Sequence, residues 1–357
     1  MVISIEEEIK KSANITVIGV GGGGGNAVNR MIEAGIKGVD FIAANTDAQA
    51  LQDSSAGIRI QLGENYTRGL GAGGDPSVGE KAAEEDSETI KDSLKSSDMV
   101  FVTAGFGGGT GTGGAPVIAR SSKELGALTV GVVTKPFMFE GKKRYNRAIE
   151  GIERLRKNVD TLLVIPNQKL FSVIKEDTAA LEAFKVADDV LRQAVQSISD
   201  IITSRGLINV DFADVKSIML NAGEAIMGLG TGNGADRAVE AARKAMTSPL
   251  LEDVSIEGAD GLLVNVTGNK SMTMFEINAA MELVYRSVSP EADVFFGHTI
   301  DNDLEDEMKI TVIATGCSKK VAEEEPPKRS TIMKPVSSTK KREKIRFPSY
   351  LRRKEED

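Results

Sequence analysis

Met99-Val100-Phe101-Val102-Thr103-Ala104-Gly105-Phe106-Gly107-Gly108-Gly109-Thr110-Gly111-Thr112-Gly113 runs from an apolar stretch straight into glycine and threonine alone. A loop with no side chain larger than threonine is very flexible when unfolded, so ordering it costs conformational entropy. That cost is offset where backbone must come very close to something. Successive N–H groups at a strand-to-helix turn form an anion-binding concavity, and the following helix adds its positive end. The Thr110 and Thr112 hydroxyls can donate to phosphate oxygens or hold a metal-bound water. A flexible linker is the plainer reading; the apolar, periodic segments on both sides favour a phosphate cradle.

A second glycine turn strengthens this. Residues 14–18 read as a buried strand that enters Gly19-Val20-Gly21-Gly22-Gly23-Gly24-Gly25-Asn26 and then a helical stretch. Gly19, Gly21 and Gly24 match G-x-G-x-x-G in the strand–turn–helix setting of a dinucleotide fingerprint. Asp40 lies near the spacing of a ribose-binding acid, so a nicotinamide oxidoreductase is one alternative. That reading leaves the second cradle unused and finds no convincing proton donor, since His298 is the only histidine. A third turn, Gly69-Leu70-Gly71-Ala72-Gly73-Gly74-Asp75-Pro76, points instead to one nucleoside triphosphate gripped by several strand ends.

The 357 residues, 41% of them hydrophobic, suffice for two domains with cores. No apolar run is long enough to span a membrane, and the acidic start lacks the apolar region of a signal peptide. Cys317 is the one cysteine, which excludes an internal disulfide and fits a reducing cytosol. With one histidine, a His-based zinc site is not expected. The net charge is −8, with 13 Lys/Arg against 7 Asp/Glu in residues 318–357. The body is therefore acidic, which speaks against general nucleic-acid binding.

Up to about residue 175, short apolar runs alternate with helical patterns: 15–18, 39–44, 99–104, 128–134 and 161–165. Continuous apolar runs fit a parallel sheet covered on both faces, a Rossmann-like α/β domain with ligands at the strand carboxyl ends. A long helix is expected over 177–204, with Phe184, Ala187, Leu191, Val195, Ile198 and Ile202 on one stripe. Beyond it, helices over 212–227, 236–247 and 274–287 and strands over 261–267, 293–298 and 308–315 indicate a smaller α+β domain. From residue 319 the composition becomes polar, charged and proline-bearing, a disordered linker. It ends in Ile345-Arg346-Phe347-Pro348-Ser349-Tyr350-Leu351-Arg352-Arg353, where Phe347, Tyr350 and Leu351 would share one helical face on docking. The expected divisions are 1–12, 13–176, 177–205, 206–317, 318–343 and 344–357.

With these residues in view, the chain resembles the tubulin/FtsZ family of polymerising GTPases, in its bacterial cell-division form. The resemblance rests on GGGTGTG and on residues 20–31, 44–51, 69–76, 132–144, 165–170, 188–202, 206–219 and 247–253. It implies a tubulin/FtsZ-like fold: a GTPase domain, a long central helix and an α+β C-terminal domain. It implies that Gly21, Gly22, Gly23, Asn26 and Asn45 approach the nucleotide, and that Ala72, Gly73 and Gly74 sense the γ-phosphate. Gly107, Gly108, Gly109, Thr110, Gly111, Thr112 and Gly113 would hold phosphates. Pro136, Glu140 and Arg144 would meet the ribose and phosphate region. Asn167, Phe184 and Asp188 would recognise guanine. A carboxylate can accept guanine N1–H and N2–H together, which adenine cannot offer. From periodicity alone Phe184 is a core residue; family position reverses that.

No phosphate-binding Lys of the G-x-x-x-x-G-K-[ST] type is present, and no carboxylate sits within 107–113 to orient water. Asn209-Val210-Asp211-Phe212-Ala213-Asp214 offers two carboxylates three residues apart at a helix start. Helix capping explains either one singly. The resemblance gives Asn209, Asp211 and Asp214 a catalytic role in the site of the next subunit of a head-to-tail filament. It also implies GTP/GDP and Mg²⁺, with the metal's ligands left open. The cytoplasmic protein would join a mid-cell division ring. Its tail residues Ile345, Phe347, Pro348, Tyr350, Leu351 and Arg352 would bind membrane tethers of the FtsA, ZipA or SepF type. A tubulin-like polymer for plasmid partition or cell shape is the other reading within the family.

Overall fold

The computed structural model describes residues 13–317 except 173, 175–176, 204–209 and 252–255. The strands are β1 (Ile15–Val20), β2 (Val39–Asn45), β3 (Ile58–Gln61), β4 (Met99–Gly105), β5 (Leu128–Lys135), β6 (Thr161–Pro166), β7 (Gly223–Asn233), β8 (Gly261–Gly268), β9 (Asp293–Ile300) and β10 (Glu307–Thr315). They form one sheet in the order β3-β2-β1-β4-β5-β6-β7-β10-β8-β9. From β3 to β7 all pairings are parallel. β10 runs antiparallel to β7 and β8, and β8 pairs parallel with β9. β6 and β7 pair only from Thr161↔Gly223 to Leu163↔Ala225.

The apolar strand runs are explained by burial on both faces. In β1 and β4, Val17, Met99 and Phe101 enter one core layer. Ile18, Val20, Val100 and Val102 enter the other. Register then sets the site: Val20 lies level with Ala44 of β2 and Ala104 of β4, so the turns after these strands leave from one edge.

Eight helices matter for function: α1 (Gly21–Glu33), α2 (Pro76–Glu85), α3 (Thr110–Glu124), α4 (Lys142–Arg156), α5 (Ala180–Thr203), α6 (Phe212–Met219), α7 (Arg237–Met246) and α8 (Met274–Arg286). α5 buries Ala187, Leu191, Val195 and Ile198, four members of the expected stripe. Its 24 residues make a rod about 36 Å long. Its last residue, Thr203, reaches the turn before β2, where a Cβ on Gly38 would sit 3.0 Å from Thr203 Cγ2. α5 thus runs from the strand carboxyl ends to the opposite edge.

Two elements differ from expectation. The helix expected over 212–227 stops at Met219, because Asn221 takes φ 55° and Gly223 φ 75°, left-handed positions that turn the chain into β7. β7 itself has the sequence GEAIMGLGTGN, whose glycines resemble a loop. Gly228, Gly230 and Gly232 share one face of the strand. A Cβ on each would lie 2.1, 2.0 and 2.0 Å from the carbonyl oxygens of Ala245, Ala241 and Arg237 on α7. The glycines therefore let helix and strand meet backbone to backbone. Gly230→Ala is expected to destabilise the fold by about 3 kcal/mol through overpacking, read as a lower urea midpoint. A change within about 0.5 kcal/mol would contradict this packing.

Candidate nucleotide site

The three glycine turns and the β5–α4 connection converge at one edge. Gly21 has φ 71°, and a Cβ there would sit 3.0 Å from Gly111 N and 3.2 Å from Thr110 Cβ. A Cβ on Gly109 would lie 2.7 Å from Ala72 Cβ, so the 69–76 turn closes on the 107–113 loop. Gly107 has φ 99°, with Arg144 Cγ at 2.7 Å and Pro136 Cγ at 3.3 Å from its Cβ position. Gly23 packs on Gly105, Gly113 on Pro76, and Gly111 on the Gly105 carbonyl; no larger residue fits there. Gly22, Gly73 and Gly108 instead face open space. Gly74 has φ 74° and lies near Arg147.

α1 and α3 begin at this convergence. Neither has a side-chain N-cap, and neither carries an acidic residue in its first turn. Two uncapped helix starts present unpaired N–H groups and two positive dipole ends to one place. That is provision for a polyanion. Thr110 Oγ1 is 2.6 Å from Thr46 Oγ1. Thr112 plays a different part from the one its hydroxyl suggested: it is fully buried, and its Oγ1 accepts the Gly107 N–H at 2.8 Å. It braces the loop, and its own backbone N–H belongs to the first helical turn.

Glu140 and Arg144 meet each other. Glu140 Oε1 accepts the Phe137 N–H at 2.8 Å, and Oε2 lies 3.0 Å from Arg144 Nε. This pair holds Arg144 against Gly107. Asn26 and Asn45 line, with Gly21 and Gly22, a cavity of about 140 Å³. Asn45 Oδ1 accepts the Asp47 N–H at 3.2 Å.

At the start of α5 the surroundings change. Asn167 is buried and its Oδ1 has no partner, an orphaned acceptor that a ligand donor would satisfy. Phe184 keeps 42% of its surface exposed and meets Phe137 edge-on at 5.4 Å. Asp188, one turn further on, is 18% exposed, with Arg30 Nε 3.8 Å away. Burial pushes its carboxyl up to about 6, against the pull of Arg30. A half-buried ring, an orphaned amide oxygen and a desolvated carboxyl form a place for a planar, donor-rich base. Arg30, Phe139 and Phe171 belong to these surroundings, and Thr46 to those of Thr110; none of the four was singled out from the sequence. For Arg30 the one signal was its place one helical turn after Asn26.

Asp211 and Asp214 lie elsewhere. Asp211 caps α6, its Oδ1 accepting the Asp214 N–H at 2.9 Å. α6 leads into the start of β7, level with the start of β6, at the edge away from the glycine turns. Thr161 Oγ1 bonds the Met219 carbonyl there. Asn209 and the tail residues Ile345, Phe347, Pro348, Tyr350, Leu351 and Arg352 lie outside the described residues. Asp40 pairs with Thr16 near the start of β2, so the ribose acid of the oxidoreductase reading is at the wrong end of its strand.

Residues 14–175 match the GTPase domain of the Tubulin/FtsZ family, and residues 223–318 match the C-terminal domain of the FtsZ family. An FtsZ dimer structure from M. jannaschii is 49% identical, with a TM-score of 0.83, covering 86% of this chain and 89% of its own. CetZ1 from Haloferax volcanii, a GDP-bound monomer, is 22% identical at a TM-score of 0.72, covering 86% and 95%; it bears on the fold alone. With two family domains along the chain and near-half identity to a solved FtsZ over most of its length, this chain belongs to the tubulin/FtsZ family of GTPases.

Proposed function

We propose that this GTPase works as a head-to-tail polymer, in which the Asp211–Asp214 end of one copy completes the nucleotide site of the next. The observation that carries this is separation. α5 begins beside the base site and ends about 36 Å away at the opposite edge, where α6 and its carboxylates follow. Those carboxylates cannot reach phosphates on their own chain. The carboxylates beside the glycine turns are already engaged: Asp47 accepts the Gln49 and Ala50 N–H groups, and Asp75 accepts that of Ser77. A contact between unlike ends does not close, so it propagates as a filament.

Within one copy, the starts of α1 and α3 and Gly108 hold the triphosphate, Arg144 adds positive charge, and Asn167, Phe184 and Asp188 read guanine. The arriving Asp214 orients the attacking water, with Asp211 fixing the start of α6. Among the described residues no cluster of three His, Cys, Asp or Glu could hold a metal. Mg²⁺ therefore fits as an ion brought on the phosphates, where it would neutralise charge, with the partly exposed Thr110 hydroxyl nearby. Among the described residues no helix is long and apolar enough to cross a membrane. We read the basic tail around Phe347, Tyr350 and Leu351 as the tether-binding segment of a division-ring polymer, on the spacing of those residues.

The test is GTP hydrolysis per molecule against protein concentration, with pelleting in GTP and in GDP. Specific activity should rise from near zero above a threshold, with pelleting in GTP alone. Activity per molecule that is flat with concentration would place catalysis within one chain.

The Asp188 carboxyl adds a pH signature. Reading guanine needs the carboxylate, but free protein holds a proton there up to about pH 6. GTP affinity should be full near pH 7.5 and fall as pH drops through 6, by up to about tenfold per unit. Asp188→Asn, which cannot ionise, should flatten the profile. Anisotropy of a fluorescent GTP analogue measures this, and a flat wild-type profile would remove Asp188 from base recognition.

A further inference from the structure

Thr46 follows the last residue of β2 and contacts both the 69–76 turn and the 107–113 loop. It is fully buried. Its backbone carbonyl accepts the Gly71 N–H at 3.2 Å and the Thr67 hydroxyl proton at 3.3 Å. Beside it, the Ala48 N–H donates to the Gly69 carbonyl at 3.1 Å, and Asp47 bridges antiparallel to Leu70. The backbone at Thr46 therefore anchors the start of the 69–76 turn. Its hydroxyl reaches the other loop, 2.6 Å from Thr110 Oγ1.

One hydroxyl of that pair donates and the other accepts, and burial decides which. Among the described residues, Thr46 Oγ1 has Thr110 Oγ1 as its one hydrogen-bond partner. Thr46 is 0% exposed, so neither water nor a ligand reaches it. If Thr110 donated, the Thr46 proton would be left in the interior without an acceptor, a penalty that native structures avoid. Thr46 therefore donates and Thr110 accepts. A threonine hydroxyl carries one proton, so that of Thr110 is left for a different acceptor. Thr110 is half-buried, opens α3 and follows the open-facing Gly108 by two residues. Of the two threonines in the loop, Thr112 is already engaged by the Gly107 N–H.

We propose that Thr46 is a positioning residue for nucleotide binding: its buried hydroxyl donates to Thr110 and so turns the Thr110 proton toward a phosphate oxygen of the bound nucleotide. This role rests on the reading of the glycine turns as the phosphate site, and adds to it a residue that touches no ligand. A donor whose direction is set before the phosphate arrives loses little freedom on binding. Its bond to a charged oxygen is of the stronger kind. Side-chain substitution leaves the Thr46 carbonyl and the anchored turn in place, so the part played by the hydroxyl is separable.

The experiment measures GTP and guanosine binding below the assembly threshold, by competition against a fluorescent GTP analogue. The proteins are full-length wild type, Thr46→Val, Thr46→Ser, Thr110→Val and the double variant Thr46→Val/Thr110→Val. Valine keeps the shape of threonine and removes the hydroxyl. Thr110→Val should weaken GTP about tenfold and Thr46→Val about fivefold. Thr46→Ser, which keeps the donor, should bind within about twofold of wild type. The double variant should match Thr110→Val within about twofold, because Thr46 acts through that hydroxyl. Guanosine has no phosphate and should bind all five proteins alike, which a distorted site would not allow. Should Thr46→Val fail to fold, Thr46→Ala takes its place with the same expected results. Wild-type GTP affinity in Thr46→Val, the same loss with and without the Thr110 hydroxyl, or a parallel loss of guanosine binding overturns the role of Thr46 alone. Wild-type GTP affinity in Thr110→Val takes that hydroxyl off the phosphates, and overturns the site reading at Thr110 together with this role.

Discussion

Asp214→Ala is expected to bind GTP with wild-type affinity and to turn it over about 100-fold more slowly or worse. The substitution removes a carboxylate from the first turn of α6 and leaves the cap, since Asp211 accepts the backbone N–H of residue 214, not its side chain. Alanine favours helix, so the fold should hold. Asp211→Ala is the less clean variant, because it also deletes the cap at about 1 kcal/mol. Binding and turnover must be measured on the same preparation, with assembly followed by pelleting. Assembled Asp214→Ala that hydrolyses GTP at the wild-type rate would leave both aspartates as residues of the helix start.

Asp188→Ala should lose GTP affinity by about 100-fold or more, since two donors of the base lose a charged acceptor. It should also lose preference for GTP over ATP. Its thermal stability without nucleotide should not fall at pH 7.5, which separates lost binding from misfolding. The sign follows from the raised carboxyl, about 6 against an ordinary 3.8. A group that holds its proton more tightly when folded favours the fold below pH 3.8 and loses that contribution as pH rises through 6. At pH 7.5 the ionised, desolvated side chain weighs against the ligand-free fold. A variant that melts well below wild type, or that binds GTP normally, would contradict this role.

The parallel half of the sheet was legible because burial on both faces leaves unbroken apolar runs, such as residues 99–104. The glycine turns were legible because their composition has few other uses. β3 escaped notice because an edge strand of four residues, Ile58–Gln61, has too little pattern to separate from a loop. β7 escaped because close packing against α7 demands glycine at alternate positions, and glycine reads as turn. The true signal was their spacing of two, matched by Arg237, Ala241 and Ala245 spaced by four. At the site, sequence reasoning listed positions but not their division of labour. Whether a glycine faces open space, as Gly108 does, or another backbone, as Gly111 does, depends on neighbours distant in sequence. The Thr112 hydroxyl and the Glu140–Arg144 pair illustrate the same limit: residue type permitted ligand contact, and three-dimensional neighbours supplied protein partners.

The shared active site is tested most directly by mixing two defective variants. Asp188→Ala keeps the Asp211–Asp214 edge but binds GTP poorly; Asp214→Ala binds GTP but lacks the acid. In a mixed filament, the acid edge of the first meets the loaded nucleotide site of the second. GTP turnover in the mixture should clearly exceed the average of the two proteins alone and peak near equal amounts. Turnover equal to that average at every ratio would mean that each chain hydrolyses with its own residues, and the shared site would be excluded.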